Sequence, residues 1–529
     1  MKVYEAIADA LLAEGCDNLF GLMGDGNMWL WSSLAQKQAK IISARHEAAA
    51  VSMADGWSRT TGKVGVAMVT CGPGLTQLGT VLIIAARNRS QLVVVTGEIN
   101  PGSKNKTQSM DQKRFTEACS ARFHTVTSID NMAEEIAEAF YAARVHRVPV
   151  VLNLNMNLQE QSFDWDFDYR PSTEFLPPRV ENPSPDLLAP VIEKLADRVG
   201  ALLGTSLQGK GFFAGQPWDV GICGAFASEP TERLLADADF VLGVGAELGY
   251  YTTEGGLLFP GADVARIDIK PMPEEIGVIP GLYVQGDALK TVTALNEALE
   301  SRQVRNEGFR NAESRAVLDE PPHQFEAPTD GLDPRAAARY LARSLPKGAL
   351  VTCGAGHFFS FPAMYMALPE GAEIQFSYQF GAVGQGLPFA IGTGAGNPGR
   401  PHIAIEGDGS MLFHIQELDT VTRFKLQMVM IVWNDGGYGA EVHKLLPKGF
   451  EWGQAHWDSP DFVAIAKAFG GDGVKLEKES DLPAAVAEGL RKGGLYLIDV
   501  RVSPTAFSDP HGKVYYGVPS KAPLLRPVA

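Results

Sequence analysis

The sequence predicts an α/β protein built from three doubly wound parallel-sheet domains. Short apolar strands alternate with helical patterns in three parts of the chain, and this alternation is typical of parallel sheets covered by helices on both faces. Two stretches rich in proline and charge, 161–185 and 306–332, lack hydrophobic periodicity and are predicted to be linkers. The predicted domains are residues 1–160, 186–305 and 333–505, followed by a C-terminal tail, residues 506–529.

Size, charge and cysteine content exclude several functional classes. The 529 residues are too many for one core. Acidic residues number 62 against 46 basic ones, which gives a net charge of −16 without a basic cluster, so nucleic acid is not an expected partner. No apolar run approaches the roughly 18 residues of a membrane span, so no membrane contact is expected. The five cysteines stand far apart, which predicts free thiols and a cytoplasmic location.

The first domain is predicted to contain five strands, each followed by a helical pattern. Arg45-His46-Glu47 stands where the second strand ends and a helix of small residues begins. Cys71-Gly72-Pro73-Gly74 follows the third strand and predicts a tight strand-to-helix turn. The predicted strands are 19–22, 41–43, 64–70, 92–96 and 148–154.

The second domain is predicted to be shortened. Strands are expected at Phe240–Val244 and Val264–Asp268, but a single helix, Leu187–Val199, fills the space before Thr205. Either this domain lacks its first strand or residues were removed from the chain. A nucleotide site that depends on a glycine-rich turn there is therefore not expected, and we predict no FAD.

The third domain contains the most specific pattern of the chain, between His402 and Gly439. An apolar strand, Ile403–Ile405, runs into Gly407-Asp408-Gly409-Ser410, a helical pattern follows, and a second apolar strand, Met428–Trp433, ends at Asn434. Two parallel strands joined by a helix form a right-handed crossover, so their carboxyl ends should emerge at one edge of the sheet, where open α/β sheets bind ligands.

The residues at that edge predict a metal-bridged diphosphate. Asp408, Asn434 and the backbone carbonyl of Gly436 offer the oxygen ligands that Mg²⁺ prefers, and Mg²⁺ is often shared with phosphates. The amides of Gly409 and Ser410 stand at a helix N-terminus, which favours anions. The Gly-Asp-Gly triplet alone is weak evidence, because the chain has two more, at residues 24–26 and 471–473.

Two motifs resemble those of the thiamin diphosphate-dependent decarboxylase and acetolactate synthase family. The first is the Gly-Asp-Gly-Ser sequence with 23 residues between Ser410 and Asn434. The family usually has Asn-Asn where this chain has Asn434-Asp435. The second is Arg-His-Glu-Ala-Ala-Ala, which is similar to the family's glutamate motif. The resemblance implies thiamin diphosphate and Mg²⁺ as cofactors, and it implies that Glu47 exchanges a proton with the aminopyrimidine ring of the cofactor.

The resemblance also implies which residues line the cofactor. The Gly-Pro-Gly turn would lie beside the pyrimidine, the turn after the strand at 351–353 would contact the diphosphate, and Val383 would support the bent cofactor. The first and third domains are then the pyrimidine-binding and diphosphate-binding domains. The implied cofactor-binding residues are Gly72, Pro73, Gly356, His357, Ala382, Val383, Gly407, Gly409, Ser410, Tyr438 and Gly439.

The residues expected to determine which reaction is catalysed resemble those of two branches of the family. Gly24-Asp25-Gly26-Asn27 is similar to a decarboxylase motif in which the Asp moves protons at the substrate, although a simple turn remains an alternative for Asp25. Gln108, in a segment where such decarboxylases have two histidines, is more similar to acetolactate synthase and benzaldehyde lyase. Asp25 and Gln108 join Glu47 as the expected catalytic residues. The expected substrate-pocket residues are Asn27, Gln112, Ala440, Glu441 and His443.

Three hypotheses follow from these motifs. The first is an acetolactate synthase-like carboligase that acts on 2-oxo acids or 2-hydroxy ketones. The second is a 2-oxo acid decarboxylase or an aldehyde lyase, which the decarboxylase-like Asp25 and the small Ala440 favour. The third is a non-catalytic nucleotide-binding relative, which would be expected to lack Glu47 or the metal pair. The resemblance further implies a homodimer as the minimum unit and a homotetramer as the expected assembly, because Glu47 and Asp408 act on one cofactor from two subunits.

Overall fold

In a computed structural model, the described part of the chain forms two six-stranded parallel sheets and a smaller central region. The structure describes residues 1–16, 18–100, 102–104, 106–177, 185–272, 280–321, 323–508 and 510. The predicted tail therefore lies outside the described residues from 511 onward. All pairs of strands within the sheets are parallel, as the sequence predicts.

The N-terminal sheet has the strand order β2-β1-β3-β4-β6-β5. Its strands are β1 (Asn18–Gly21), β2 (Lys40–Ser43), β3 (Gly65–Val69), β4 (Leu92–Glu98), β5 (Arg122–Val126) and β6 (Pro149–Asn155). Its helices are α1 (Val3–Ala13), α2 (Met28–Gln36), α3 (Glu47–Thr61), α4 (Pro73–Thr76), α5 (Gly79–Asn88), α6 (Gln112–Ala118), α7 (Met132–His146) and α8 (Met156–Gln159). The five predicted strands are confirmed, and β5 was not predicted.

The first predicted linker packs partly on the N-terminal sheet domain instead of leaving it. The backbone amide of Phe163 donates a hydrogen bond to the backbone oxygen of Met1, and the Phe163 side chain is buried. Further along, the buried carboxylate of Glu14 accepts hydrogen bonds from the Tyr169 hydroxyl at 2.7 Å and from the Ser172 backbone at 2.6 Å. These contacts could not be predicted from hydrophobic periodicity, because they are made by hydrogen bonds and isolated aromatic rings within a polar stretch.

The central region is smaller than the two flanking domains, and its described strands are divided between two parallel sheets. It has a two-stranded sheet and a separate three-stranded sheet with the order β11-β10-β9. Its strands are β7 (Leu203–Thr205), β8 (Asp219–Ile222), β9 (Phe240–Val244), β10 (Asp263–Asp268) and β11 (Leu282–Gln285), and its helices are α9 (Pro185–Val199), α10 (Glu229–Ala236), α11 (Tyr250–Thr253), α12 (Ala288–Ser301) and α13 (Ala312–Leu318). Helix α13 falls within the second predicted linker, which is therefore not wholly irregular.

The C-terminal sheet has the strand order β13-β12-β14-β15-β17-β16. Its strands are β12 (Leu350–Cys353), β13 (Glu373–Phe376), β14 (His402–Gly407), β15 (Met428–Asn434), β16 (Asp472–Lys475) and β17 (Leu495–Arg501). Its helices are α14 (Pro334–Ser344), α15 (Ser360–Tyr365), α16 (Gly386–Gly396), α17 (Asp408–Phe413), α18 (Leu418–Arg423), α19 (Gly439–Leu445), α20 (Phe462–Ala468) and α21 (Leu482–Lys492). Strands β14 and β15 are neighbours with Gly407 opposite Trp433, so Asp408 and Asn434 emerge at one edge, as predicted.

The N-terminal and C-terminal sheet domains meet through α3 and α16. A Cβ on Gly56 would lie 2.1 Å from the carbonyl oxygen of Phe389, and a Cβ on Gly392 would lie 1.8 Å from that of Met53. The two helix backbones therefore touch where both side chains are absent. Because Glu47 is the first residue of α3, this packing also fixes the position of Glu47 relative to the C-terminal domain of its own chain.

Within the described ranges, no helix combines the length and the apolar character needed to cross a bilayer.

His402 makes the stability of the C-terminal domain dependent on pH. Its ring is buried at the start of β14, and burial lowers its pKa to about 4. The unfolded chain then binds more protons than the folded chain between roughly pH 4 and 6.5, so the free energy of unfolding falls as the pH falls through that window. We expect the wild type to lose about 2 kcal/mol more than His402→Gln between pH 7 and 4.5 in urea unfolding. The exposed His323 gives the control, since His323→Gln should keep the wild-type slope; equal slopes in all three proteins would contradict the prediction.

Candidate active site

Asp408 and Asn434 converge at the carboxyl edge of the C-terminal sheet. The Ser459 hydroxyl lies 2.9 Å from Asp408 Oδ2 and 2.8 Å from Asn434 Oδ1. A hydroxyl can donate only one proton, so these two oxygens surround a point that has more acceptors than donors. Two converging hard oxygens are a donor set that fits a divalent cation such as Mg²⁺. Asn434 Nδ2 donates to the buried carboxylate of Asp499 at 2.9 Å, which fixes the amide with its oxygen toward Ser459.

A second carboxyl group lies beside this pair. Desolvation, followed by the neighbouring charge of Asp408, raises the pKa of Asp435 well above its usual range. Burial also raises the pKa of Asp408, against the hydrogen bond from Ser459. Two carboxyl groups held this close repel each other when both are ionised. A bound cation would relieve that repulsion, which is a further reason why the donor set fits a metal.

The predicted backbone ligand, Gly436, lies in a turn with φ +70°. Its amide contacts Asn434 Oδ1 at 3.3 Å, and its carbonyl oxygen accepts a hydrogen bond from Trp457 N at 2.8 Å. A carbonyl has two lone pairs, so this contact leaves capacity for a second partner. Tyr438, whose side chain is 42 % exposed, packs edge-on against Trp457 with 4.7 Å between the ring centroids.

The glycines of this edge are required by close packing. A Cβ on Gly407 would lie 2.7 Å from the Phe358 ring, and one on Gly439 would lie 2.5 Å from Asp435 Oδ2. A Cβ on Gly409 would meet the rings of Tyr438 and Trp457 at 3.0 and 3.1 Å. The backbone at the start of α17 therefore carries no side chain at either of the two glycines that flank Asp408.

The turns after β12 and before α16 adjoin this edge. His357 follows Gly356 and is buried, with its ring stacked on His443 at 4.4 Å. Ala382 and Val383 are half-buried, and the next amide, Gly384 N, donates to Ser410 Oγ at 2.6 Å. The hydrogen bond to Ser410 thus connects the segment of Ala382 and Val383, which is predicted to support the bent cofactor, to the Gly-Asp-Gly-Ser loop.

Glu47 lies at the carboxyl edge of the N-terminal sheet. It is half-buried, and His46 caps its helix by accepting a hydrogen bond from Ala48 N. A Cβ on Gly74 would lie 3.7 Å from Glu47 Oε1, so the Gly-Pro-Gly turn borders the carboxylate. Within that turn, Pro73 is exposed and begins α4.

Gly72 is predicted to be intolerant of a side chain. Its φ is +56°, and a Cβ would lie 2.2 Å from the backbone oxygen of Gln108. We expect Gly72→Ala to destabilise the fold by about 2 kcal/mol and to lower turnover, because left-handed backbone and overlap act together. Gly62 is a matched control, with φ +72° and open space around it. Gly62→Ala should cost about 1 kcal/mol and leave turnover intact, as measured by thermal unfolding and assay. Equal effects of the two changes would contradict the role of the overlap.

Asp25 and Gln108 lie on the same edge as Glu47. Asp25 is exposed. Burial raises the pKa of the Cys71 thiol, and the nearby charges of Asp25 and Glu98 raise it further. Cys71 Sγ donates to Gln108 Oε1 at 3.2 Å, so the half-buried Gln108 is held against the turn. The structure thus brings all three expected catalytic residues to one side of the N-terminal domain.

Two expected pocket residues face inward instead. Asn27 is 1 % exposed and closes its own turn, accepting from Gly24 N and donating to Leu22 O. Gln112 is 3 % exposed; it accepts from Gly72 N at 2.9 Å and donates to the Gly97 carbonyl and to Asn153 Oδ1. The polar atoms of both side chains form hydrogen bonds within the protein. The two residues therefore support the surrounding backbone and do not present a free group to a substrate.

The three expected pocket residues of α19 differ in exposure. Ala440 is half-buried, and Glu441 is exposed and pairs with Lys444 at 3.8 Å. His443 is 3 % exposed, and burial lowers its pKa to about 4 against a hydrogen bond with the Pro504 backbone. His443 is therefore a neutral ring within the protein, packed between His357 and Phe507.

Two open cavities mark the two edges. One, of about 410 Å³, is lined by Leu22, Met23, Trp31, Ser43, Ala44 and Arg45. The other, of about 440 Å³, is lined by Gly409, Leu412, Phe413, Tyr438, Gln454 and Trp457.

Sequence reasoning missed three residues of the site. Ser459 stands in an irregular loop, and no local pattern marks it. Asp435 stands where the family usually has a second asparagine, and this difference could have drawn attention to it. Its position beside Asp408 is visible only in the structure. Glu406, an acid at the end of an apolar strand, is 0 % exposed and lies beneath the loops described above.

Similar proteins cover nearly the whole chain. An acetolactate synthase of Bacillus subtilis (strain 168) is 26% identical over 547 residues, covering 96% of this chain and 93% of that protein. A probable 2-ketoarginine decarboxylase of Pseudomonas aeruginosa is 27% identical, covering 94% and 93%. A sulfoacetaldehyde acetyltransferase of Castellaniella defragrans is 25% identical, covering 93% and 90%.

Three family models match the chain in order. They describe the N-terminal TPP binding domain of thiamine pyrophosphate enzymes, over residues 1–118, the central domain, over 188–295, and the C-terminal TPP binding domain, over 354–500. Both edges described above fall within the two TPP binding domains. The chain therefore belongs to the thiamine pyrophosphate enzyme family and is a thiamine pyrophosphate-dependent enzyme similar to acetolactate synthases.

Proposed function

We propose that this protein is a Mg²⁺- and thiamin diphosphate-dependent enzyme that forms or cleaves the carbon–carbon bond next to the carbonyl of a 2-oxo acid or a 2-hydroxy ketone. The observation that carries the proposal is the convergence of Asp408 Oδ2 and Asn434 Oδ1 on one point at the ends of neighbouring strands. A cation held there would supply positive charge to a diphosphate bound near the start of α17.

The residues proposed to hold the cofactor lie on both sides of that point. Asp408, Asn434 and the Gly436 carbonyl would ligate the metal, and Ser459 would have to give up its place between the two side-chain oxygens. The bare backbone at Gly409 would receive the diphosphate. The remaining proposed contacts are those of Gly72, Pro73, Gly356, His357, Ala382, Val383, Gly407, Ser410, Tyr438 and Gly439.

The chain's own catalytic groups are proposed to be carboxyl and amide side chains. Bound thiamin diphosphate supplies an electron sink for the bond next to the carbonyl. Glu47 would give and take a proton through its carboxyl oxygens, and the adjoining Gly-Pro-Gly turn would keep water from that carboxylate. Asp25 would move a proton at the substrate, and Gln108, held by Cys71, would orient the substrate's oxygen.

Ligation of the acetolactate synthase type is the first candidate reaction. Gln108 supports it, because an amide can orient an acceptor carbonyl without protonating the intermediate that must attack it. Release of an aldehyde is the second candidate, and the exposed carboxyl of Asp25 favours it as a proton donor. The named relatives include enzymes of both kinds.

A product assay separates the two candidates. The purified protein, loaded with Mg²⁺ and thiamin diphosphate, is given a panel of 2-oxo acids and 2-hydroxy ketones with and without an acceptor aldehyde, and products are identified by mass. Ligation products support the first candidate. Free aldehyde without any ligation product would reject it in favour of the second, and no turnover of any 2-oxo acid or 2-hydroxy ketone would overturn the proposal.

We propose that the active assembly is at least a homodimer, with a tetramer as the expected form. Leu412, Phe413 and Tyr438 are 39 %, 51 % and 42 % exposed around the proposed cofactor site, and exposed apolar patches of this kind mark interfaces. If Glu47 and Asp408 of different subunits share a cofactor, mixed Glu47→Gln and Asp408→Asn subunits should regain about a quarter of wild-type activity in a random mixture. No recovery after confirmed subunit exchange would contradict the shared site.

We also propose that the central domain holds no flavin. Between residues 190 and 205, all of which the structure describes, the chain contains only the rest of α9 and the three-residue strand β7, which leaves no further strand there to carry a glycine-rich nucleotide turn. Absorbance of the purified protein between 350 and 500 nm, before and after incubation with FAD, tests this proposal, and a retained flavin spectrum would reject it.

A further inference from the structure

Glu406 is a buried carboxyl group that the proposed reaction does not use. It stands in β14, two residues before Asp408, and its side chain is 0 % exposed. Among the ion pairs of the described residues, none involves Glu406. A buried acid without a basic partner must obtain its stabilisation from hydrogen-bond donors.

Those donors come from the backbone around the cofactor site. Glu406 Oε2 accepts the amide of Leu387 at 3.1 Å, and Oε1 accepts that of Gly407 at 3.3 Å. The amide of Gly386 and the hydroxyl of Ser410 lie close enough to this carboxyl group to lower its pKa, against the larger effect of burial, which raises it. Ser410 Oγ also accepts a hydrogen bond from Gly384 N at 2.6 Å, which connects two of the segments that surround Glu406.

Two glycines leave the space that the carboxyl group fills. A Cβ on Gly354 would lie 2.2 Å from Glu406 Oε1, and a Cβ on Gly386 would lie 2.1 Å from Oε2. One carboxylate thus contacts three separate backbone segments, which are the turn after β12, the segment 384–387 and the loop 407–410. These are the segments proposed to hold the diphosphate, to support the bent cofactor and to bind the metal.

We propose that Glu406 is a positioning residue that locks these three segments together in the arrangement that binds the cofactor. The inference rests on the proposed cofactor site. A carboxyl group suits this task because it offers acceptor sites on both of its oxygens. Loss of one acceptor oxygen would let the segments separate, so the cofactor would have to reorder them when it binds, and its affinity would fall.

Glu406→Gln is the sharpest test, because the amide keeps the shape and replaces one acceptor oxygen with a donor that opposes a backbone amide. The dissociation constant of thiamin diphosphate for the apoprotein in Mg²⁺ is measured by calorimetry, together with kcat at saturating cofactor. We expect the dissociation constant to rise at least tenfold, while kcat changes less than threefold.

Glu14 provides a matched control, since it is also a buried carboxylate, in the N-terminal domain, held by Arg144, Tyr169 and Ser172. Glu14→Gln should lower the thermal midpoint and leave the dissociation constant unchanged. A wild-type dissociation constant in Glu406→Gln, or an equal loss of affinity in both variants, overturns the inference. If Glu406→Gln does not fold, Glu406→Asp decides by the same measurement, because its shorter side chain cannot reach all three segments.

Titration of the wild-type protein with thiamin diphosphate distinguishes failure of this inference from failure of the proposed function. If the wild type does not bind thiamin diphosphate in Mg²⁺, the proposed cofactor site is wrong and the role of Glu406 falls with it. If the wild type binds and Glu406→Gln binds equally well, only the role of Glu406 is rejected.

Discussion

Glu47→Gln is expected to reduce turnover by roughly 10²–10⁴-fold, the usual contribution of a general acid–base group. The glutamine keeps the size of the side chain and its place at the first position of α3, but it cannot give and take a proton. Binding of thiamin diphosphate should change little, because the proposed metal and diphosphate contacts lie on the C-terminal domain. Steady-state turnover and calorimetric titration of the cofactor measure the two effects separately.

The control for this prediction addresses the simpler role of an acid at a helix start. A glutamate in the first turn stabilises any helix by its charge, usually by less than about 1 kcal/mol. Glu134 has that position in α7 and is exposed. Glu134→Gln should therefore retain full turnover. If Glu47→Gln behaves like Glu134→Gln, Glu47 is a helix-stabilising residue and has no catalytic role.

The C-terminal sheet could be predicted from sequence because its signals are local and strong. Strand β15 is apolar from Met428 to Trp433, and β14 contains the apolar run Ile403–Ile405, as expected of strands that are buried on both faces. Parallel connection then brings Asp408 and Asn434 together without any further information. The helix between them was only partly predicted, since it breaks at His414, whose ring contacts Gln385 Nε2 at 3.3 Å. That partner is remote in sequence, so periodicity alone could not indicate the break.

Other features could not be predicted because they depend on which side of a loop faces the core. Asn27 and Gln112 stand in polar segments at the sheet edge, and sequence alone does not tell whether such an amide faces a substrate or closes a turn. Strand β5 lies at the edge of its sheet, and its residues are mostly exposed or half-buried. It therefore lacks the apolar run that marks the inner strands.

Asp408→Asn is expected to raise the dissociation constant of thiamin diphosphate in Mg²⁺ by about 100-fold, equivalent to about 2.7 kcal/mol, and to abolish turnover at ordinary cofactor concentrations. The substitution keeps one oxygen but removes the charge that a hard dication requires. It also removes the repulsion between residues 408 and 435, so the folded apoprotein should become more stable as cofactor binding is lost. A gain in thermal midpoint together with lost affinity distinguishes a ligand from a residue that only supports the fold.

The chain itself supplies the matched control for this substitution. Asp472 stands in another Gly-Asp-Gly triplet, but its carboxylate pairs with Lys492 and Lys467 at the surface of β16. Asp472→Asn breaks these exposed pairs, which usually contribute less than about 1 kcal/mol each, and it should leave both the cofactor affinity and its loss on EDTA treatment unchanged. The same triplet thus has two different surroundings. Asp408 follows the carboxyl end of β14 and lies near a second buried oxygen, that of Asn434, whereas Asp472 begins β16 and lies beside solvent and lysine. Equal affinity in Asp408→Asn and Asp472→Asn would mean that the oxygens around Ser459 do not bind the metal.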